Sequence, residues 1–437
     1  VADKSADLIV RDGLVLTLDP AGTRFDAGCV VVNRGLIEAV GPDDLAQSYR
    51  ARETLRANGG LIMPGLINCH THAPMTLFRG LADDLPLSTW LNEHIFPAEA
   101  KLDAALVAVG ARLALAEMIR GGVTCLCDMY LWEDTVAQEI DRAGLRALVG
   151  EVLYDFPSPH YGDLDSGLAF TREFIVHYRG HDRISVMVMP HALYTCSPDL
   201  LERARDLAEE AGADIHLHLA ETAEEVALVE KAQGARPVAH LDRLGLLNDR
   251  LLAAHGVHFT DPEIALLAER GVRVAHCPES NMKLASGLAR LPELLAAGVR
   301  VGLGTDGAAS NNDLSLLGEM RSCALIHKAA RMDPTLADAP TVLGLATSAA
   351  AAALGLGRET GSLEPGKRAD LIVIDTSSPH LSPLYRPESH LVYAALPSDV
   401  RHSVVNGRVL MADRELRTID LKALRAEAAR AAAKIRP

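Results

Sequence analysis

The sequence predicts an α/β fold: a (β/α)8 TIM-like barrel carrying a small β-sandwich domain built from both chain ends. Three observations predict it. The middle of the chain alternates eight short apolar runs with helical patterns, and the two ends share a different, hairpin-like rhythm. A length of 437 residues exceeds one ordinary compact core but suits a barrel of ~250 residues plus a smaller domain.

The eight runs occupy 61–68, 123–127, 146–153, 184–189, 214–219, 251–255, 272–276 and 299–303. They are nearly continuous in apolar residues, as parallel strands covered on both faces should be. Helical patterns over 104–119, 198–211, 262–270 and 314–330 lie between or after them. Eight such units suit a closed barrel better than an open doubly wound sheet, which is the alternative architecture. At the ends, Asp12-Gly13 and Asn406-Gly407 separate β-branched runs, a hairpin signal. The chain is therefore divided into a composite β-domain, 1–62 and 361–437, and a (β/α)8 barrel domain over 63–360. A terminal helix is expected over 421–435, where Ala, Arg and Glu dominate.

Composition narrows the function. Asp and Glu number 58 against 43 Lys and Arg, a net charge of −15. A surface that acidic repels phosphate backbones and anionic lipid, so neither nucleic acid nor membrane is an expected partner. Aromatic residues are only 4% of the chain, leaving little for base stacking. No uninterrupted apolar window of about 18 residues occurs, and residues 1–7 lack the basic and apolar parts of a leader peptide. The seven scattered cysteines, with Cys125, Cys127 and Cys196 among apolar neighbours, suit reduced thiols in a cytoplasmic protein.

Several strands finish in a histidine or an acid. The first ends His70-Thr-His72 and the fourth runs into His191. The fifth reads His216-Leu-His218-Leu-Ala-Glu221, the sixth ends at His255, the seventh at His276, and the eighth runs to Asp306. C-terminal strand ends converge at one mouth of a barrel, where such folds carry their chemistry. A single histidine after a strand is usually a hydrogen-bonded core residue; a series at corresponding positions is a pattern. His70 and His72, two apart on an extended chain, point to one face. Two neutral imidazoles there can hold one cation, with His218 and Asp306 completing the set and a position left for water. His218 lies nearer the mouth than His216, which is read as a packed barrel histidine. Gly302-Leu-Gly-Thr-Asp-Gly307 fits a dinucleotide fingerprint, but it follows the last strand rather than the first and contains Asp306. Cys125-x-Cys127 has the wrong spacing for a zinc knuckle or redox pair and reads as core.

Pro64-Gly-Leu-Ile-Asn-Cys-His70-Thr-His72, His218-Leu-Ala-Glu221, Ala254-His255-Gly256 and Gly304-Thr-Asp306-Gly together resemble the amidohydrolase superfamily, in its mononuclear deaminase and chlorohydrolase branch. Where the binuclear branch uses a carboxylated lysine, this sequence has Met189-Pro-His191-Ala, which favours one metal. The runs from His70 to Gly80, Trp90 to Glu99, Leu193 to Pro198 and Thr305 to Asn312 are similar to those of 5′-methylthioadenosine/S-adenosylhomocysteine deaminases.

The resemblance implies hydrolytic deamination of an adenine nucleoside at C6 by a metal-activated hydroxide. One divalent metal is expected, Zn2+ by preference with Fe2+ fitting the same ligands. Asp306 would be ligand and base, Glu221 the general acid at the ring nitrogen, and His255 the group that orients the nucleophile. Glu99 would hold the ribose hydroxyls, His191 would contact the nucleoside, and Trp90 would wall the pocket. His94, His276 and Asn281 are read as supporting residues. The alternatives are a deaminase or chlorohydrolase of guanine or a triazine, and a non-catalytic assembly protein on the same scaffold. The resemblance also implies a homo-oligomer, a dimer or larger. The region after the third strand, 151–166, has no arginine, so recognition of an amino-acid tail is left open.

Overall fold

The computed structural model describes residues 4–435. Residues 1–3 and 436–437, both part of the expected composite β-domain, lie outside the described residues. The N-terminal end supplies five strands: β1 (Lys4–Leu16), β2 (Arg24–Asn33), β3 (Leu36–Pro42), β4 (Tyr49–Arg56) and β5 (Leu61–Pro64). The barrel follows with β6 (Leu66–Thr71), β7 (Val123–Tyr130), β8 (Arg146–Leu153), β9 (Ile184–Val186), β10 (Met189–Pro190), β11 (Ile215–Leu219), β12 (Leu251–His255), β13 (Arg273–His276) and β14 (Arg300–Leu303). The chain returns to the first sheet with β15 (Leu371–Ile374), β16 (Val400–Val405), β17 (Arg408–Ala412) and β18 (Glu415–Leu416).

The two ends form one nine-stranded sheet in the order β18-β17-β16-β15-β5-β1-β2-β3, with β4 also paired to β1. Strand β5 joins the two contributions, running parallel to β1 and antiparallel to β15. Asn406-Gly407 makes the expected hairpin between β16 and β17, with Val405 paired to Arg408 and positive φ at both turn residues. Asp12-Gly13 does not make one. Strand β1 runs straight through it, and the register against β2 slips on either side of Gly13 while Asp12 takes φ of +66°. An Asp-Gly pair also suits a β-bulge, because both conformations need a left-handed residue.

The barrel strands are parallel throughout, in the runs β6-β7-β8-β10 and β11-β12-β13-β14. Parallel bridges Val188 to Ile215 and Ala192 to His218 join the runs on one side. On the other, the Asp306 amide donates to the His70 carbonyl at 2.9 Å and closes the ring. The expected first strand, 61–68, divides at Gly65: β5 belongs to the end sheet and only β6 enters the barrel. A Cβ on Gly65 would lie 2.1 Å from the Thr124 side chain, so the crossing point must be a residue without one.

Helices begin where a side chain can cap them: Asp103, Asp163, Ser197 and Thr222 each accept a first-turn backbone N–H. The terminal helix Leu421–Ile435 lies against the helix Ala104–Arg120, tied by Arg112 to Glu427 at 2.7 Å. All seven cysteines are free and buried. No helix among the described residues is long and apolar enough to cross a membrane.

Sheet and barrel are pinned by a buried ion pair. Arg146 of β8 donates from Nε to Asp370 Oδ2 at 2.7 Å, with both side chains essentially inaccessible. The other oxygen of Asp370 accepts the Asn406 amide at 2.7 Å. Asp370→Ala would strand a buried guanidinium, and a loss on the order of 3–5 kcal/mol is expected in urea unfolding. Asp370→Leu combined with Arg146→Met should recover most of that loss, because the cost comes from the unpaired charge.

Candidate metal centre and active site

The mouth of the barrel gathers His70 and His72 from the end of β6, His218 from β11, His255 from β12 and Asp306 just beyond β14. Donor atoms of His70, His72 and His218 lie within 4.8 Å of one another, as do those of His70, His255 and Asp306. Asp306 Oδ1 is 3.2 Å from His72 Nε2 and 3.5 Å from His70 Nε2. His218 Nε2 is 3.3 Å from His72 Nε2.

Hydrogen bonds on the far side of each ring settle its tautomer. His72 donates from Nδ1 to the Met129 carbonyl, and His218 donates from Nδ1 to the His191 carbonyl at 2.8 Å. His70 is fixed through a relay. The Leu252 carbonyl takes the Nδ1 proton of His216 at 2.8 Å. The free Nε2 of His216 then accepts from His70 Nδ1, also at 2.8 Å. All three rings thus turn an unprotonated Nε2 inward. His70 Nε2 is buried with no hydrogen-bond partner. Three converging lone pairs beside a carboxylate repel one another unless a cation lies among them, and three imidazoles with one carboxylate are a fitting donor set for a divalent transition metal.

The electrostatics agree. Burial pushes His70 down to about 4 and His218 well below its ordinary value, so both rings are neutral, as a metal-holding imidazole must be. Burial acts the same way on His72 and is the largest single influence, but the hydrogen bond to and charge of Asp306, with the Met129 carbonyl and Asp128, together outweigh it and push the ring up to about 9.

Backbone conformation aims the groups. Asp306, His255 and Ala220, the residue before Glu221, take φ of +59°, +70° and +51°. Left-handed residues of this kind are uncommon and tend to collect at functional sites. Glu225 holds one of these turns, accepting the amides of Ala220 and Glu221 at 3.0 and 2.7 Å. The glycines of the 302–307 run serve packing: a Cβ on Gly304 would lie 2.8 Å from the His70 amide, and one on Gly307 2.8 Å from Met75 Sδ.

Glu221 stands beside the centre, with Oε2 3.8 Å from His255 Nε2 and Oε1 3.4 Å from Ser286 Oγ. Burial raises its carboxyl above the ordinary range. His255 is oriented by Asn281, which accepts from Nδ1 at 2.9 Å. Ser280 donates to Asp306 Oδ2 at 2.6 Å. A cavity opens over these groups. Its walls include Trp90, Glu99, Tyr130, His191 and Tyr194. Trp90 is buried and donates to the Ala82 carbonyl at 3.1 Å. Burial pushes Glu99 up to about 7 and His191 down to about 3.

All nine residues singled out from the sequence line this cavity or the centre beneath it. His276 does not: it pairs with His327 at 3.1 Å near Cys323, off the cavity. Four contributors were missed or undervalued: the relay through His216, Glu225, Ser280 and Tyr194. His216 carried a usable signal, since the two-residue spacing that faces His70 and His72 inward also faces His216 and His218 inward. The others have no local pattern: Glu225 and Ser280 lie in the helices Ala223–Gln233 and Pro278–Lys283, and Tyr194 lies on a turn.

Residues 61–410 match the amidohydrolase family. The chain is 56% identical over 417 residues to a 5-methylthioadenosine/S-adenosylhomocysteine deaminase of Syntrophobacter fumaroxidans, covering 95% of each. It is 50% identical to one from Nitratidesulfovibrio vulgaris, over 93% of this chain and 92% of the relative. Among solved structures, an adenosine deaminase from Xanthomonas campestris with bound zinc superposes with a TM-score of 0.97 at 43% identity, covering 99% of both chains.

The tautomer relay has a measurable consequence. His216→Phe removes the acceptor for the His70 Nδ1 proton and should weaken metal affinity about 10–100-fold in a chelator competition. His276→Phe, away from the cavity, should leave that affinity unchanged.

Proposed function

This chain belongs to the amidohydrolase family, and from that premise we propose that it hydrolyses the C6 amino group of an adenine nucleoside. The substrates would be 5′-methylthioadenosine or S-adenosylhomocysteine, with adenosine as a further candidate, and the products ammonia and the inosyl nucleoside. One observation carries the reading: a single cavity holds a nitrogen-rich cation site, a buried carboxyl beside it in Glu221, and a second carboxylate in Glu99 on its wall.

His70, His72, His218 and Asp306 would hold the cation. We assign zinc, on the strength of three imidazoles to one carboxylate and the zinc-bound relative. When bound, such a cation makes hydroxide available near neutral pH by acidifying a water. Glu221, its carboxyl raised by burial, keeps the proton that the ring nitrogen beside C6 needs as water adds to that carbon. Asp306 takes a proton from the attacking water and passes it to the departing amine, so that the C–N bond breaks with ammonia as leaving group, while the remaining proton on the C6 oxygen returns to Glu221 as the carbonyl forms. Its Oδ1 receives the Gly307 amide at 2.8 Å and its Oδ2 the Ser280 hydroxyl, which keep the carboxylate in place through both transfers. His255, fixed by Asn281, orients the nucleophile. Glu99 can accept two hydrogen bonds from a ribose diol, a contact that a free base does not offer. The buried free thiols support a reducing, cytoplasmic setting.

Ammonia release from metal-loaded protein tests the assignment. Turnover of at least one of methylthioadenosine, S-adenosylhomocysteine and adenosine, with guanine inert, is expected; release from guanine alone, or from none, discards it. In the same assay Glu221→Gln should lower kcat about 10²–10⁴-fold while metal content stays at the parental level. Near-full turnover by that variant would remove the acid role.

Glu99 predicts a pH effect of definite sign. Its carboxyl ionises near 7 because burial raises it, so the diol-binding carboxylate is present above that pH and lost below it. KM for the nucleoside should rise as pH falls through 7. Glu99→Gln should raise KM about 10–100-fold and flatten this dependence; an unchanged profile would exclude Glu99 from the ribose site.

A further inference from the structure

The nucleoside cavity continues outward into a second groove. Leu87, Leu91, Phe96 and Tyr194 line both, so whatever leaves the cavity on that side passes between them. Phe96 begins the short helix that ends at Glu99, which puts its ring one turn from the carboxylate proposed to hold the ribose. Phe156 meets Phe96 edge-on at 5.7 Å and stacks on Tyr154 at 3.9 Å. Phe156 and Tyr194 are 39% and 36% exposed, an unusual amount of aromatic surface left open beside a cavity.

The charge of this passage is equally one-sided. Neither the cavity nor the groove is lined by a lysine or an arginine among the described residues, while Asp155, Glu224 and Glu225 line the groove. Two of these acids already have work: Asp155 accepts the Ser197 amide, and Glu225 the amides of Ala220 and Glu221. The carboxylate of an amino-acid tail entering here would find no cation and face three acids, which offer a partner only to the tail's ammonium. A thioether would find aromatic faces and edges, against which sulfur packs favourably.

We propose that this groove is the subsite for the 5′ substituent and that it selects an apolar, uncharged thioether over a zwitterionic amino-acid tail. The inference rests on the adenine-nucleoside reading above and sharpens it: of the two thio-nucleosides, methylthioadenosine is the substrate the groove fits.

The test is kcat/KM of the metal-loaded enzyme for methylthioadenosine, adenosine and S-adenosylhomocysteine. Methylthioadenosine should exceed adenosine by about tenfold, the scale of one added apolar group in a pocket. It should exceed S-adenosylhomocysteine by about a hundredfold. Phe156→Ala should narrow the methylthioadenosine-to-adenosine ratio about fivefold, and because a ratio is read, partial loss of folded protein does not imitate the result. Asn92→Arg, which sets a cation in the groove, should raise S-adenosylhomocysteine relative to methylthioadenosine about tenfold. Turnover of S-adenosylhomocysteine within threefold of methylthioadenosine by the parent enzyme overturns this selectivity and leaves the deaminase reading intact. No turnover of any of the three overturns that reading, and the selectivity falls with it.

Discussion

The site depends on one arrangement of protons. Three histidines from the ends of two barrel strands each give their Nδ1 proton outward, two directly to backbone carbonyls and one through His216 to a third. Each ring therefore has a lone pair left for the centre, and burial keeps His70 and His218 neutral. A barrel supplies this economically, because its inward residues share a wall with carbonyl groups of neighbouring strands. The repulsion among the unprotonated nitrogens is the cost of that order, and a cation relieves it. Metal binding and the fixing of the barrel mouth are thus parts of the same equilibrium.

The same crowding explains the strained backbone around the centre. Left-handed φ angles at Ala220, His255 and Asp306 bring side chains inward from strand ends whose regular geometry would carry them past the mouth. Two of the three are held by contacts within the fold: Glu225 clamps the amides of Ala220 and Glu221, and the Asp306 amide is committed to the His70 carbonyl. The last of these bonds also closes the barrel. Ring closure and ligand placement consequently use one residue, and Gly304 and Gly307 leave room for it against β6.

Burial divides the acids and histidines into distinct tasks. Two histidines hold Asp306 ionised against the cost of burial, whereas Glu221 and Glu99 lack so close a cation and are raised. A carboxylate suited to accepting a proton and a carboxyl suited to giving one thus stand in a single cavity. Farther out, aromatic rings stand among acids with no cation beside them. The end sheet stands apart from this, joined to the barrel through β5, the Gly65 crossing and the Arg146–Asp370 pair.

Much of this was legible in the residues alone. Period-two spacing places His70 and His72 on one face, and apolar runs alternating with amphipathic segments specify a barrel; both are local properties of the chain. The terminal helix and the Asn406-Gly407 hairpin are legible for the same reason. Local pattern could not separate β5 from β6, because both are apolar and the division arises where Gly65 meets Thr124, some sixty residues away. Nor could it tell the bulge at Asp12-Gly13 from a hairpin, since both turns ask for the same residues. The ligand types and their spacing were determined by the sequence. The tautomers, the left-handed turns, the relay through His216 and the aromatic groove without a cation were decided only by the tertiary structure, because each depends on groups that barrel closure brings together from distant parts of the chain.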